Sequence, residues 1–232
     1  MRGPTTLAQP PISVPHSPRP SSMRVPSTII LLDWDDTLFP NAYLSTKGYS
    51  IDDFQQPLTT ADEALMDRLT QHIQIFLLAC KDAHRTVWIV TNGEDGWVER
   101  SCKRFMPCLY PLVTSLRIVS ARALYEAKCP MQEWKTACFV AELKQHFSSD
   151  VGCETRHIVS IGDSQYERQA VQVVPTRLPR TKTKSVKLVD QPTIVDMVRQ
   201  LKLLSTYLSH LCSHPDHLDL ILSREVLRDI SI

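Results

Sequence analysis

The sequence predicts an α/β fold, a doubly wound domain on a mainly parallel sheet of five strands. Three features predict it: continuous apolar runs of strand length, helical stretches alternating with them, and polar motifs that close one run after another. Thr28-Ile29-Ile30-Leu31-Leu32 comes first, apolar after Thr28 and ended by Asp33. A strand without polar alternation is one buried on both faces, as in a parallel sheet. A helix from about Ala61 to Lys81 follows, with Leu65, Leu69, Ile73, Phe76 and Leu77 on one stripe and Thr60 or Asp62 near its start. The second strand, Thr86-Val87-Trp88-Ile89-Val90, runs into Thr91-Asn92-Gly93, and Pro107 closes the next helix, from about Asp95 to Phe105. Leu116-Arg117-Ile118-Val119 is the third strand, and Pro130 stands near the start of a long helix reaching about Phe147. His157-Ile158-Val159-Ser160-Ile161 is the fourth, ending in Gly162-Asp163-Ser164 before a helix of about one to three turns. Lys184 to Val189 makes a shorter fifth strand. Pro192 then opens a helix with Ile194, Val195, Val198, Leu201 and Leu204 on its apolar side.

With 232 residues, 43% hydrophobic and 22% charged, the chain has the composition of a soluble globular domain. A formal net charge of +1 gives no basic face for nucleic acid, and no apolar run is long enough for a membrane span. Prolines interrupt any signal-peptide core. Seven scattered cysteines, none in a CxxC, give no zinc-ribbon or thioredoxin motif and point to a reducing compartment, the cytosol or the nucleus. Residues 1–26 hold seven of the sixteen prolines and no acid, a composition expected to stay disordered. The reading is therefore a tail at 1–26, one Rossmann-like domain at 27–207, and a helical extension at 208–232.

Ligands of an open parallel sheet bind outside the carboxyl ends of its strands. Asp33-Trp34-Asp35-Asp36-Thr37, Thr91-Asn92-Gly93 and Gly162-Asp163-Ser164 all fall at such ends. Asp33 and Asp35 lie two apart, so on extended chain their carboxylates share one side. Asp33 and Asp163 side by side would repel at a cost of several kcal/mol, by order of magnitude. A divalent cation removes that cost, and carboxylate oxygens suit Mg²⁺ better than zinc.

In these motifs the sequence resembles the haloacid dehalogenase-like (HAD) superfamily. LLDWDDT is similar to its first motif, an apolar strand leading into DxDxT; IVTN is similar to the second, and SIGDS to the fourth. The resemblance spans roughly residues 28–190. The acid at the third position of DxDxT is that of the phosphatase and phosphotransferase branches. The resemblance implies Asp33 as nucleophile, forming an aspartyl-phosphate, and Asp35 as the acid that protonates the leaving oxygen and then activates water. It implies Mg²⁺ on the Asp33 carboxylate, the Asp35 carbonyl and Asp163, with Thr91 and the turn at Asn92 binding phosphate. For the third-motif lysine it points to Lys135, with Lys128 as the alternative. One departure stands out: relatives place a second Asp soon after the fourth-motif acid, where this chain has Glu167, which is placed to assist the metal through water or to pair with Arg168 or another neighbour.

Neither the gap after Thr37 nor that after Gly93 holds enough residues for a cap domain with its own core. An open, capless site suits a large phosphorylated substrate such as a phosphoprotein; small phosphate esters fit if the segment from Phe39 to Thr60 folds over. A phosphotransferase using the same intermediate and a non-catalytic phosphate-binding protein are the alternatives. Two other features carry less weight. His210, His214 and His217 read as solvated or capping side chains, and the basic stretch Arg180 to Lys184 reads as a loop near the active edge with a possible steering role.

Overall fold

A computed structural model describes residues 28–82, 85–148 and 155–231. The tail expected at 1–26 and Cys153 lie outside the described residues. In chain order the elements are β1 (Thr28–Leu32), α1 (Asn41–Thr46), α2 (Thr60–Lys81), β2 (Thr86–Thr91), α3 (Trp97–Phe105), α4 (Tyr110–Val113) and β3 (Arg117–Ser120). They continue with α5 (Ala121–Tyr125), α6 (Trp134–His146), β4 (Arg156–Gly162), α7 (Gln165–Arg177), β5 (Thr181–Lys187), α8 (Ile194–Ser213), β6 (Leu218–Ile221) and α9 (Arg224–Arg228).

The strands form one all-parallel sheet in the order β3-β2-β1-β4-β5-β6. The chain builds outward from β1 to β3, then returns to lay β4 on the other side of β1. That reversal makes a crevice at the carboxyl ends of β1 and β4, the topological switch point of a doubly wound sheet. Helices cover both faces, as the uninterrupted apolar character of β1 requires. Ile30 and Leu32 pack among α2, α3 and α8, while Ile29 and Leu31 pack among α6 and α7. Adjacent residues thus face opposite cores. No helix among the described residues is long and apolar enough to cross a membrane.

The structure corrects the sequence reading at the C-terminal end. Among the described residues the sheet has six strands, not five, and the segment after 208 holds a strand besides the end of α8 and the short helix α9. Helix α8 runs unbroken to Ser213, and Leu218–Ile221 pairs in parallel with β5. β6 is four residues long and mostly exposed, so it lacks the apolar run by which buried strands are read. The fifth strand begins at Thr181, three residues earlier than expected. The basic stretch is therefore strand and not loop, and its start is aligned with Arg156, at the amino end of β4. Six residues of strand, about 20 Å, separate Thr181 from Lys187 at the carboxyl edge. A steering role at the active edge is excluded for Arg180. Lys184 is buried, with its ammonium against His157 Nδ1. α7 is also longer than expected, at 13 residues.

The segment between β1 and α2 is tied down rather than loose. The Asp62 carboxylate, in the first turn of α2, accepts hydrogen bonds from the hydroxyls of Tyr43, Tyr49 (2.8 Å) and Thr59 (2.6 Å). Arg104 on α3 donates to the carbonyls of Gln56 (2.6 Å) and Asp53 (3.0 Å). The Thr59, Tyr43 and Tyr49 donors, with Lys47 nearby, hold the Asp62 carboxyl down to about 2. Because the folded value lies below the ordinary one, Asp62 stabilises the fold above pH about 4, and that contribution is lost as pH falls toward 2. Urea denaturation between pH 5 and 2 should show a fall in stability in this window. Asp62→Asn should start lower at neutral pH and show a smaller fall, whereas equal pH slopes in the two proteins would rule the contribution out.

Candidate active site

The functional side chains come from two kinds of position, strand ends and the first turns of the helices that follow. A helix that crosses over from a parallel strand begins at the strand's carboxyl edge. Asp33 therefore follows β1, Thr91 ends β2 and Asp163 follows β4. Trp97 opens α3, while Lys135 and Glu167 lie in the first turns of α6 and α7.

Asp33 continues the sheet ladder, donating its N–H to the Ile161 carbonyl at 3.0 Å. The chain then turns sharply. Trp34 O accepts from the N–H groups of Thr37, Leu38 and Phe39, and Asp36 takes a left-handed φ of 51° with its carboxylate on the Ala42 N–H. Asp and Asn tolerate that conformation better than most residues. Trp34 is fully buried, stacked on Phe39, and its indole N–H donates to Ser101 on α3 at 2.9 Å.

Lys135 is the centre of the charge arrangement. Only 1% exposed, its Nζ lies 2.5 Å from Asp33 Oδ1 and 2.5 Å from Glu167 Oε1. The alternative lysine, Lys128, is exposed and sits over the Tyr125 ring. Glu167 is thus a partner of Lys135 and not of Arg168, which pairs with Asp219. Glu167 also accepts from the Ser164 N–H and hydroxyl, closing a capping box at the start of α7. Gly162 makes room for it, since a Cβ there would stand 2.5 Å from Glu167 Cγ.

Carboxylate oxygens of Asp33, Asp163 and Glu167 lie within 4.8 Å of one another. Against these three acids stands one ammonium. Burial, with Glu167 and Asp163 adding to it, raises the Asp33 carboxyl well above its usual range despite Lys135. Asp163 has no cationic partner among the described residues, and burial with Glu167 and Asp36 pushes it up to about 7. Burial also acts on Glu167 and Lys135, but pairing prevails: Lys135 holds Glu167 below the carboxylate range, and Asp33 with Glu167 holds Lys135 above the amine range. The cluster is short of positive charge by two when all three acids are ionised. The oxygen donor set and that deficit both fit a hard divalent cation.

Asp35 stands apart from this cluster. Its two oxygens accept from the Trp97 indole N–H at 2.9 and 3.2 Å, and Thr91 Oγ1 donates to Oδ2 at 3.4 Å. Burial raises its carboxyl, with the Trp97 N–H opposing. Thr91 Oγ1 also accepts from the Gly93 N–H at 2.8 Å, and Asn92 Oδ1 is buried with no hydrogen-bond partner among the described residues. The predicted residues Asp33, Asp163 and Lys135 therefore converge, while Asp35 and Thr91 pair beside them. Sequence reasoning missed Trp97 and the lysine-pairing role of Glu167. A tryptophan opening a helix six residues after a strand-end Thr carries no motif. The glycine whose added Cβ would stand 2.4 Å from Trp97 Cδ1 is Gly93, which reads from sequence as an ordinary turn residue. The three histidines do not form a cluster: His217 Nδ1 accepts from Thr183, and His214 from the Asp216 N–H.

Removing one member of a buried ion pair leaves its partner uncompensated. Lys135→Met should lower stability by about 3–5 kcal/mol in urea denaturation without added metal. Adding Glu167→Gln should cost less than the sum of the single changes. A loss near 1 kcal/mol for Lys135→Met, or strict additivity, would show that the triad is not coupled as the distances imply.

No family model matches the chain, and no curated protein or solved structure matches it either.

Proposed function

We propose that this chain is a Mg²⁺-dependent phosphomonoester hydrolase that works through an aspartyl-phosphate on Asp33. The observation that carries the reading is the partition of charge at the switch point. Asp33 lies in a cluster of three acids and Lys135, and Asp35, two residues on, lies in a separate cradle of neutral donors. The motif order of the HAD superfamily, LLDWDDT, IVTN and SIGDS, supports the same reading, as does a sheet that puts all three motifs on one edge.

The chemistry asked of each residue follows from its surroundings. Lys135 engages Asp33 Oδ1, and Asp33 Oδ2 has no protein partner among the described residues, so it is the oxygen available to attack phosphorus. The bond from phosphorus to the leaving oxygen breaks as that oxygen takes a proton from Asp35, whose raised carboxyl suits a proton donor. Asp35, now a carboxylate, accepts a proton from water. The water oxygen attacks phosphorus, the bond to Asp33 breaks, and inorganic phosphate leaves. Lys135 offsets the negative charge on Asp33 as an anionic ester approaches. Asp33 and Asp163 would hold Mg²⁺, whose charge neutralises phosphate oxygens and lets two anions meet. The Thr91 hydroxyl and the turn at Asn92 lie beside Asp35, where phosphate oxygens would be held.

Phosphate release from an aryl phosphate and from an alkyl phosphate, with and without Mg²⁺, tests this. Turnover is expected to stop on chelation and return with Mg²⁺, with Ca²⁺ a poor substitute. Asp33→Asn, an isosteric change, should abolish turnover while the unfolding midpoint stays measurable and cooperative. Undiminished activity in Asp33→Asn or after exhaustive chelation would contradict the proposal.

A further inference from the structure

A cavity of about 630 Å³ lies between the segment after β1 and helix α3, and Asp35 stands behind its wall rather than in it. Its walls include Phe39, Tyr49, Trp97, Arg100 and Phe105. Two of these reach Asp35: Phe39 bridges to it through the backbone, and Trp97 donates to both of its carboxylate oxygens. The indole is partly buried and held by its neighbours. It packs edge-on to Phe39 at 6.1 Å, and it lies so close over Gly93 that no side chain fits there. Its carbonyl accepts from Ser101 Oγ at 2.7 Å, and that same hydroxyl oxygen accepts from Trp34. A rigid donor shared between two oxygens sets the plane of a carboxylate more tightly than solvent does, because the carboxylate cannot rotate without losing one contact.

We propose that Trp97 is the positioning residue for Asp35 and that its ring also walls the pocket for the leaving group. One indole would then join two tasks, holding the proton donor in line and forming the surface on which the departing alcohol rests. The inference rests on the acid role proposed for Asp35. It narrows the expected substrate from any large phosphorylated partner to an ester whose leaving group, a side-chain hydroxyl or small alcohol, enters a pocket of this size.

The test compares wild type, Trp97→Phe, Trp97→Ala and Asp35→Asn on p-nitrophenyl phosphate and phosphoserine, with Mg²⁺ present. An alkoxide leaving group needs the proton, whereas nitrophenolate does not. Trp97→Phe keeps a ring and removes the donor. It should slow the first step, single-turnover release of the leaving group, by roughly 10- to 100-fold more on phosphoserine than on the aryl ester, while the second step slows on both. Trp97→Ala should in addition raise KM for the aryl ester. Equal losses in that first step on both esters, or none on either, would overturn the positioning role while leaving the reading of Asp33 intact. Wild type without Asp33-dependent turnover would instead overturn that reading, and this inference with it. A measurement free of catalysis covers variants that fail to fold: the Trp97 indole N–H resonance of the wild type should shift in Asp35→Asn, and an unmoved resonance would overturn the contact.

Discussion

The rest of the site depends on one buried ammonium. Lys135 crosses from α6 to the ends of β1 and β4, and without it Asp33 and Glu167 would face each other in a low-dielectric crevice. Its presence lets a carboxylate end a fully apolar strand. Its insufficiency is equally informative, because one cation among three acids leaves a deficit of positive charge that the proposed Mg²⁺ would offset. A site built only for stability would have balanced these charges or excluded them, since hydrophobic replacements are often as stable as a buried pair.

The same economy governs Asp35. Its hydrogen bonds come from donors that are themselves neutral, Trp97 and Thr91, while Lys135 acts on it only at a distance. Two carboxylates two residues apart thereby meet different partners, an ammonium and two acids at Asp33 and neutral donors at Asp35, while burial raises both. The segment from Phe39 to Thr59 takes part in this division. Tied to Asp62 and Arg104, it supplies a wall beside Asp35 without forming a domain of its own.

Much of the frame was legible because it rests on local pattern. The run before Asp33 had to be a doubly buried strand, and β4 declared itself in the same way. The family resemblance points to Lys135, and the structure brings that lysine to Asp33. What escaped was set by tertiary contact. β6 is stabilised by pairing with β5 and not by its own apolarity, and residues 181–184 read as loop from their charge although the strand they form is largely buried. Glu167 resembles any capping-box acid in sequence. Only the position of α7 beside α6 turns it toward Lys135 instead of Arg168. Trp97 was invisible for the same reason, since its meaning lies in the close approach over Gly93.

The central claim is that Asp33 carries the phosphoryl group. It is tested most directly by trapping that group in Asp35→Asn, whose second step should be slow. The variant would be mixed with p-nitrophenyl phosphate and Mg²⁺, quenched in acid within one turnover, and reduced with borohydride. Borohydride converts an acyl phosphate to the alcohol, so the account expects homoserine at position 33 in the sequenced peptide, in proportion to the nitrophenol released. Nitrophenol release with Asp33 recovered unchanged, or with the label on another residue, would contradict it.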